Sequence, residues 1–280
     1  MTSAGVMSTS TTSVATHVTG ATTGASMTST GSTATGDIGS MTDMTLGSDA
    51  TSTSAATTSA TLNTSGTSGG ASDACPEDMA QVGESCVDRY EAPNLEGAPP
   101  LVMYTFDEAE SWCQSRGKRL CLDSEWTAAC EGPEAWPFPY GRHVPGVCND
   151  DKPWLPYNQQ LLNGWPWDLE TDAIESLAQL FAVASARSPA AAQAAEHVAS
   201  LYQGEAAGAR EECVGPAGVY DLTGNVEEWT RRADGGTEGF HGNLKGRYWA
   251  DLRTCQDNIT VHGDGFRFYE IGFRCCAELR

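Results

Sequence analysis

The chain has 280 residues, a formal net charge of −21 and ten cysteines. Nucleic acids and anionic membranes repel a strongly acidic protein, so we expect neither as a partner. No stretch is long and apolar enough to cross a bilayer, so no membrane span is expected. The length permits one large domain or two small ones.

Residues 1–72 form a tail of distinct composition. Of these 72 residues, 36 are Ser or Thr, and the tail has no Lys, Arg, Cys, Phe, Trp or Tyr. Such a segment cannot bury enough apolar surface to offset the entropy lost on folding. We predict a disordered Ser/Thr-rich stalk over 1–72 and one domain over 73–280, although a plain unstructured terminus fits the composition equally well.

All ten cysteines follow residue 72. They do not form C-x2-C pairs, so a zinc site is not indicated. An even number at this density predicts disulfides and an extracytoplasmic location. The N-terminus has neither the basic nor the apolar region of a signal peptide. We therefore expect a secreted, periplasmic or surface-anchored protein whose longer precursor carries a signal or lipid anchor upstream of the stalk.

The first elements of the domain are predicted from cysteine spacing and capping residues. Cys75 and Cys86 are eleven residues apart, which suits a short hairpin clipped by a disulfide. Thr105 and Glu108 have the spacing of a capping box, which predicts the start of a helix. Gly117 is expected to end that helix.

The middle of the domain changes character twice. Asp123 is a candidate N-cap for a second short helix that ends at Gly132. Residues 133–168 are rich in Pro, Trp, Tyr, Gly and Asn and show no period, which predicts a long irregular region. Residues 170–202 show helical spacing broken by Pro189, which predicts an inserted helical hairpin.

The last part of the chain predicts short strands. Brief runs at 218–222, 226–232, 244–250 and 271–279 are separated by Gly, Asn and Asp turns. Two early helices, long loops and a small terminal sheet together predict an α+β domain.

Five motifs follow one another in the chain: GKRLCLDSEW, PFPYG, GVYDLTGNVEEW, KGRYW and GFRC. In this order they resemble the signatures of the formylglycine-generating enzyme family, also called sulfatase-modifying factors. The resemblance covers roughly residues 75–280. It implies a variant of the C-type-lectin fold with little regular structure, and bound calcium. The activity it implies is oxidation of a substrate cysteine to formylglycine.

The resemblance implies calcium at two places. The first ligand set would combine two carboxylates and two backbone carbonyls, from Asp221, Glu228, Gly224 and Val226. Calcium takes six to eight oxygens of mixed type, which suits this set. From spacing alone, an Asx-stabilised turn with solvated acids is the simpler interpretation. A second set would begin with Asn149 and Asp150 and continue near residues 202–204.

The resemblance also implies disulfides that tie the helices to the end of the chain. These are Cys113–Cys275 and Cys130–Cys255. For the last four cysteines we expect Cys148–Cys213, which closes off the inserted hairpin, and Cys121–Cys276. Spacing alone does not determine either of those two pairs.

Active members of the family bind copper(I) through two cysteines that stand five positions apart. In this chain Asp251 stands at the first position, and only Cys255, assigned above to a disulfide, is nearby. Tyr248 stands where the family has an active-site serine, and Glu227 replaces a tryptophan. Copper(I) requires soft thiolates, so we do not expect copper.

Three functions remain open. The motifs favour a formylglycine-generating oxidase, and the missing thiolate pair opposes it. Another metal-dependent oxidoreductase would need metal ligands. Outside the insert, the only histidines of the domain are His143, His241 and His262. A binding or accessory module would hold a protein or peptide ligand in the former active-site groove, at Glu227, Tyr248, Trp249 and Asp251. Phe266, Phe268 and Tyr269 either extend this groove or pack the sheet. We favour the module.

Overall fold

The computed structural model describes residues 75–279. The stalk expected over 1–72 lies outside the described residues and stays a prediction. Within 75–279, short helices and two small sheets alternate with long loops, so the α+β prediction is confirmed. In this range no helix has the length and apolar character needed to cross a membrane.

The regular elements are short. The strands are β1 (Met79–Val82), β2 (Ser85–Asp88), β3 (Arg119–Leu120), β4 (Glu227–Arg231), β5 (Gly242–Lys245), β6 (Ile271–Phe273) and β7 (Cys275–Glu278). The helices are α1 (Phe106–Ser115), α2 (Asp123–Glu131), α3 (Gln159–Leu162), α4 (Leu177–Ser185) and α5 (Pro189–Leu201), with a 3-10 turn at Thr171–Ala173.

A single residue of the chain separates a strand of one sheet from a strand of the other. The first has the order β1-β2-β7-β3 with antiparallel pairs, so it joins the two ends of the domain. The second has the order β5-β4-β6, in which β4 and β6 are parallel. Only Arg274 separates β6 from β7, and its side chain is buried at this junction.

Helix α1 begins where its sequence predicts. Thr105 Oγ1 accepts a hydrogen bond from the backbone N–H of Glu108 at 3.2 Å, and the Glu108 carboxylate accepts one from the N–H of Thr105 at 2.8 Å. This is the expected capping box. Trp112 lies on the buried face of the helix, and Gly117 leaves it with a φ of +69°.

The start of α2 differs from the prediction. Its N-cap is Leu122, and Asp123 is the first helical residue. The Asp123 carboxylate instead accepts hydrogen bonds from the N–H of Ala233 at 3.0 Å and from Asn243 Nδ2 at 3.1 Å. The prediction that Asp123 caps α2 was therefore wrong, because its side chain forms hydrogen bonds to the second sheet and the residues beside it. The Leu122 N–H donates to Glu125 at 2.8 Å.

Three further predictions need correction. The run at 244–250 is a strand only at its start, because β5 ends at Lys245. Residues 133–168 are not irregular throughout, because they contain the one-turn helix α3. Residues 218–222 do not form a strand and contribute only an isolated bridge between Tyr220 and Val214. Asp221 has a φ of 58°, which is incompatible with an extended run through that segment.

The insert at 170–202 folds as the expected helical pair. Helices α4 and α5 pack against each other, with Leu177, Leu180 and Ala184 buried on α4. Pro189 occupies the first position of α5, where its missing N–H breaks no helical hydrogen bond.

Aromatic residues dominate the core. The main cluster includes Tyr104, Phe106, Trp112, Trp229, Trp249 and Phe273. Each large apolar side chain removed from water contributes on the order of 2–3 kcal/mol. A smaller cluster surrounds Trp126 and contains four disulfide cysteines, which are Cys121, Cys130, Cys255 and Cys276.

Five disulfides join the same pairs that the sequence analysis sets out. They are Cys75–Cys86, Cys113–Cys275, Cys121–Cys276, Cys130–Cys255 and Cys148–Cys213. The Cys113–Cys275 bond spans 162 residues, for which the loop-entropy model gives about 5 kcal/mol. Five such bonds indicate an oxidising, extracytoplasmic environment.

Candidate functional site

Strand β4 places two glutamates on opposite faces of the second sheet. Successive side chains of a strand alternate, so Glu227 and Glu228 point in opposite directions. They are 5% and 1% exposed. Trp229 anchors the strand, since its Nε1 donates to the carbonyl oxygen of Tyr104 at 3.1 Å. One strand therefore contributes to two separate buried charge clusters.

The cluster on the Glu227 face consists of Glu227, Arg247, Asp251, Arg253 and Glu270, and we call it the groove cluster. Glu227 is paired with Arg253, and Asp251 with Arg247. Within 75–279, the buried Glu270 Oε2 and Arg247 Nε have no hydrogen-bond partner. Burial, reinforced by the charge of Glu227, raises the pKa of Glu270 to about 8. Glu270 is therefore mainly protonated at neutral pH and able to donate a hydrogen bond.

The aromatic residues expected at the groove divide into two groups. Tyr248, Trp249 and Tyr269 are 7%, 1% and 1% exposed and belong to the main core cluster. Tyr248 and Trp249 thus pack the interior beside the groove cluster rather than line an open surface. Phe266 and Phe268 are half-buried and border a cavity.

On the opposite face, Glu228 is fully engaged by protein groups. Its two oxygens accept from Arg274 Nη2 at 2.6 Å and Nε at 2.7 Å, and Trp126 Nε1 adds a third bond at 3.0 Å. Arg274 also donates to the carbonyl oxygens of Asp88 and Tyr220. The guanidinium supplies the positive charge that calcium was expected to supply here. The first calcium set does not fit this arrangement at Glu228.

The other members of that set lie close by. Asp221 Oδ2 accepts from the N–H of Gly208 at 2.7 Å, and burial raises the pKa of Asp221 to about 6. Gly224 approaches Asn149 so closely that a Cβ would lie 2.6 Å from the Asn149 carbonyl oxygen. Val226 is buried in the main core cluster. The loop is therefore tightly built around Asn149.

Asn149, from the second expected set, lies in a polar network. Its Nδ2 donates to the Gln203 carbonyl oxygen and to Asn225 Oδ1, both at 3.1 Å. Asn225 Nδ2 donates in turn to Glu91 Oε1 at 2.8 Å. Among the residues that the structure describes, Asn149 Oδ1 and Glu91 Oε2 are buried oxygens without a hydrogen-bond partner. Burial raises the pKa of Glu91 well above its usual range.

Each candidate metal-binding histidine contacts a different neighbouring side chain, and the three do not form one site. His143 Nε2 lies 2.8 Å from Asp150, His241 Nδ1 lies 2.6 Å from Asp264, and His262 stacks on Phe266 at 4.0 Å. Asp150, expected in the second calcium set, is thus engaged by a histidine. No group of three His, Cys, Asp or Glu side chains in the described range is arranged to hold a metal ion.

Sequence reasoning missed several charged residues of both clusters. Arg274 lies inside the GFRC motif, and a charge between two apolar strand residues is a signal for a buried ion pair. Glu91 and Glu270 carry no such signal, because each meets its neighbours only through the tertiary fold.

Comparison with known proteins assigns the family. The model of the sulfatase-modifying factor enzyme 1-like domain matches residues 15–279. The chain belongs to the sulfatase-modifying factor family. The resemblance carried by the five motifs is thereby confirmed.

Two solved structures are similar to this family member. PvdO from Pseudomonas aeruginosa is 15% identical, covers 70% of this chain and 80% of its own, and has a TM-score of 0.39. CarF is 14% identical, covers 70% of this chain and 87% of its own, and has a TM-score of 0.26. No curated protein shows a significant sequence match.

The residues expected at the copper positions have other partners in this structure. Asp251 pairs with Arg247, and Cys255 is bonded to Cys130. Tyr248, at the serine position, is buried. No cysteine of the described range is free.

Proposed function

We propose that this sulfatase-modifying factor family member is a binding or accessory module and not a formylglycine-generating oxidase. The observation that carries the proposal is the state of the cysteines, because every one in residues 75–279 is in a disulfide. Copper(I) requires soft thiolates, and the groove cluster offers carboxylates and guanidinium groups instead. Family membership alone does not determine activity, because one fold supports many functions.

The groove cluster suits a protein or peptide ligand. Protonated Glu270 and the unpartnered Nε of Arg247 are hydrogen-bond donors among the described residues. Peptide carbonyl oxygens are the acceptors that such donors bind. The partly exposed carboxylate of Asp251 offers an acceptor at the edge of the same cluster.

The oxidase arm of the proposal is tested with copper(I) and a sulfatase-derived cysteine peptide. The full chain, produced in an oxidising compartment, is titrated with copper(I) against a coloured chelator. We expect no stoichiometric retention of copper and no conversion of the peptide cysteine to formylglycine by mass spectrometry. Retention of one copper per chain together with conversion would reject the proposal.

The binding arm is tested with a displayed random peptide library on the immobilised full chain. We expect enriched peptides that bind wild type and lose affinity for Glu270→Gln and Arg247→Gln. The exposed Glu196→Gln on α5 is the matched control and is expected to bind normally. Equal enrichment on all four proteins would contradict a groove ligand.

A metal-dependent oxidoreductase on the same fold is the second candidate. Membership of the sulfatase-modifying factor family favours it. Metal analysis of the natively produced protein decides between the candidates. Copper or iron at one equivalent per chain would support the oxidoreductase, and fewer than a tenth of an equivalent would support the module.

We further propose that calcium braces the domain near Asn149 rather than at Glu228. The buried oxygens Asn149 Oδ1 and Glu91 Oε2, which lack donors within 75–279, support this position. Carboxylate and amide oxygens are ligands that calcium accepts in irregular geometry. Bound there, calcium would supply structural bracing and hold Glu91 ionised.

We also propose that the protein is secreted or anchored at a surface, with residues 1–72 as a spacer. The five disulfides support an oxidising compartment, and the Ser/Thr-rich composition supports a spacer. Protease treatment of intact producing cells tests this proposal. Cleavage of the chain without cell lysis is the expected result, and full protection would contradict it.

A further inference from the structure

A cavity of about 190 Å³ lies between residues 159–167 and the loop 265–268. Its walls are mostly apolar and include Met103, Leu162, Trp165, Trp167, Phe266 and Phe268. Arg267 also lines it, with its guanidinium 4.5 Å from the centre of the Trp167 ring. One charged group and the amides of Gln159 and Asn163 thus border a mostly apolar space.

Three nitrogens of the lining residues Arg267 and Trp165 share one property, whereas Gln159 and Asn163 are hydrogen-bonded to each other. The Arg267 side chain is 7% exposed, and its Nη2 pairs with Glu108 Oε1 at 3.2 Å. Its Nε and Nη1 are buried and have no acceptor within residues 75–279, and the same holds for Trp165 Nε1. All three unpartnered groups are donors. A buried donor without an acceptor costs free energy, so a ligand with acceptor oxygens would stabilise this cavity.

Stacking on tryptophan does not by itself leave an arginine unpartnered. Arg116 lies 3.4 Å over the Trp112 ring, yet it donates to the carbonyl oxygens of Trp112, Asp172 and Ile174. Arg267 has no such carbonyls in the described part of the chain. Burial lowers the pKa of Arg267 although Glu108 lies beside it, so its charge is only partly compensated.

We propose that this cavity binds a carboxylate carried on an aromatic or bulky aliphatic group. The apolar group fills the cavity, and the carboxylate oxygens accept hydrogen bonds from Arg267 and Trp165. A cavity of roughly 150 Å³ holds a benzene ring, so this volume suits one ring with a short acid chain. The carboxylate has two sources, a free organic acid or the C-terminal residue of a polypeptide. The proposal is independent of the groove cluster.

Calorimetric titration of the full chain tests the ligand chemistry. The probes are 3-phenylpropionate, 3-phenylpropionamide, and the peptide Ala-Ala-Phe with a free or an amidated C-terminus. We expect at least one acid to bind about ten-fold tighter than its amide, because the charged acceptor is lost in the amide. Binding of the free acid alone, the peptide acid alone or both supports the proposal and identifies the source. Equal affinity of acid and amide, or no saturable binding by either acid, overturns it.

Variants locate the binding. Arg267→Gln is expected to weaken the acid about ten-fold to a hundred-fold, and Arg116→Gln, the matched stacked arginine, to leave it unchanged. Trp165→Phe keeps an aromatic ring at this position and removes the Nε1 donor. It provides the test if Arg267→Gln does not fold. Glu227→Gln in the groove cluster is expected to leave the affinity unchanged. If neither Trp165→Phe nor Arg267→Gln changes the affinity for the acid, the acid binds elsewhere and the site is rejected.

Discussion

Arg267 and Arg274 lie seven residues apart, and both are buried, but their surroundings differ. Arg274 is fully buried, with a bidentate carboxylate and several backbone carbonyls as acceptors. Arg267 has one carboxylate partner, and two of its nitrogens lack acceptors in the described range. Burial of a guanidinium is tolerated when each N–H is satisfied by the protein itself. Arg274 therefore completes the fold, and Arg267 retains capacity for a ligand.

The same contrast extends to the segments around the two residues. Arg274 adjoins Cys275 and Cys276, both of which form disulfides to earlier helices and strands. Residues 265–268 border a cavity, and Glu270 keeps a buried oxygen unpartnered among residues 75–279. The satisfied arginine and two disulfide cysteines thus follow residue 270, and the unpartnered groups of this segment lie at or before it.

Removal of the Cys113–Cys275 bond should give the largest effect. Because the bond closes 162 residues, replacing both cysteines with alanine should lower the free energy of unfolding by about 5 kcal/mol. The Cys75–Cys86 bond closes 11 residues, and its removal should cost about 3 kcal/mol. Urea unfolding measures both. If removal of either disulfide lowered the free energy of unfolding equally, the bond to the end of the chain would not be the more stabilising of the two.

Replacing each of the two arginines with methionine should destabilise the protein to different degrees. Arg274→Met leaves Glu228 buried and unpaired, so the free energy of unfolding should fall by about 3–5 kcal/mol. Arg267→Met removes unsatisfied donors together with one ion pair to the partly exposed Glu108, and should change stability by less than about 1 kcal/mol. Thermal and urea unfolding give both values. A loss at residue 267 as large as that at 274 would contradict the distinction between them.

Glu270 should make stability depend on pH. Its pKa is raised to about 8 by burial and by Glu227, so between about pH 5 and pH 8 the folded state holds a proton that the unfolded state has released. The free energy of unfolding should therefore fall as pH rises through this window, by up to about 1.4 kcal/mol per pH unit. Glu270→Gln should flatten the urea-unfolding profile between pH 5 and 8, and Glu196→Gln should not. Parallel profiles for wild type and Glu270→Gln would refute a buried proton at this residue.

Local signals and motifs account for what the sequence predicted. The capping box at Thr105 needs only a spacing of three residues, and the family motifs carried the fold and two of the five disulfide pairs. Asp123 was misassigned because its partner Asn243 is 120 residues away in sequence and no local pattern announces it. The prediction of a strand over 218–222 was wrong because Asp221 adopts a positive φ. Aspartate tolerates this conformation, but its presence in a sequence does not predict it.

The candidate site was less predictable than the fold for the same reason. Alternation along β4 separates Glu227 from Glu228, but only the tertiary structure shows that Arg274 neutralises the second of them. The cavity at Arg267 is formed by segments roughly a hundred residues apart, and its unpartnered donors are a property of packing. Sequence motifs describe the groups that a family shares, and these donors lie outside them.

Calcium should have the smallest effect on stability and should act through Asn149. Added to protein stripped with a chelator, calcium at ten times its dissociation constant should raise the free energy of unfolding by about 1.4 kcal/mol. Asn149→Ala should abolish this increase, because it removes the buried amide oxygen, and magnesium should not replace calcium. Asp221→Asn is the matched variant from the first ligand set and should retain the increase. If Asp221→Asn loses the calcium effect and Asn149→Ala keeps it, calcium binds at the first set, and Arg274 must then release Glu228 to the ion.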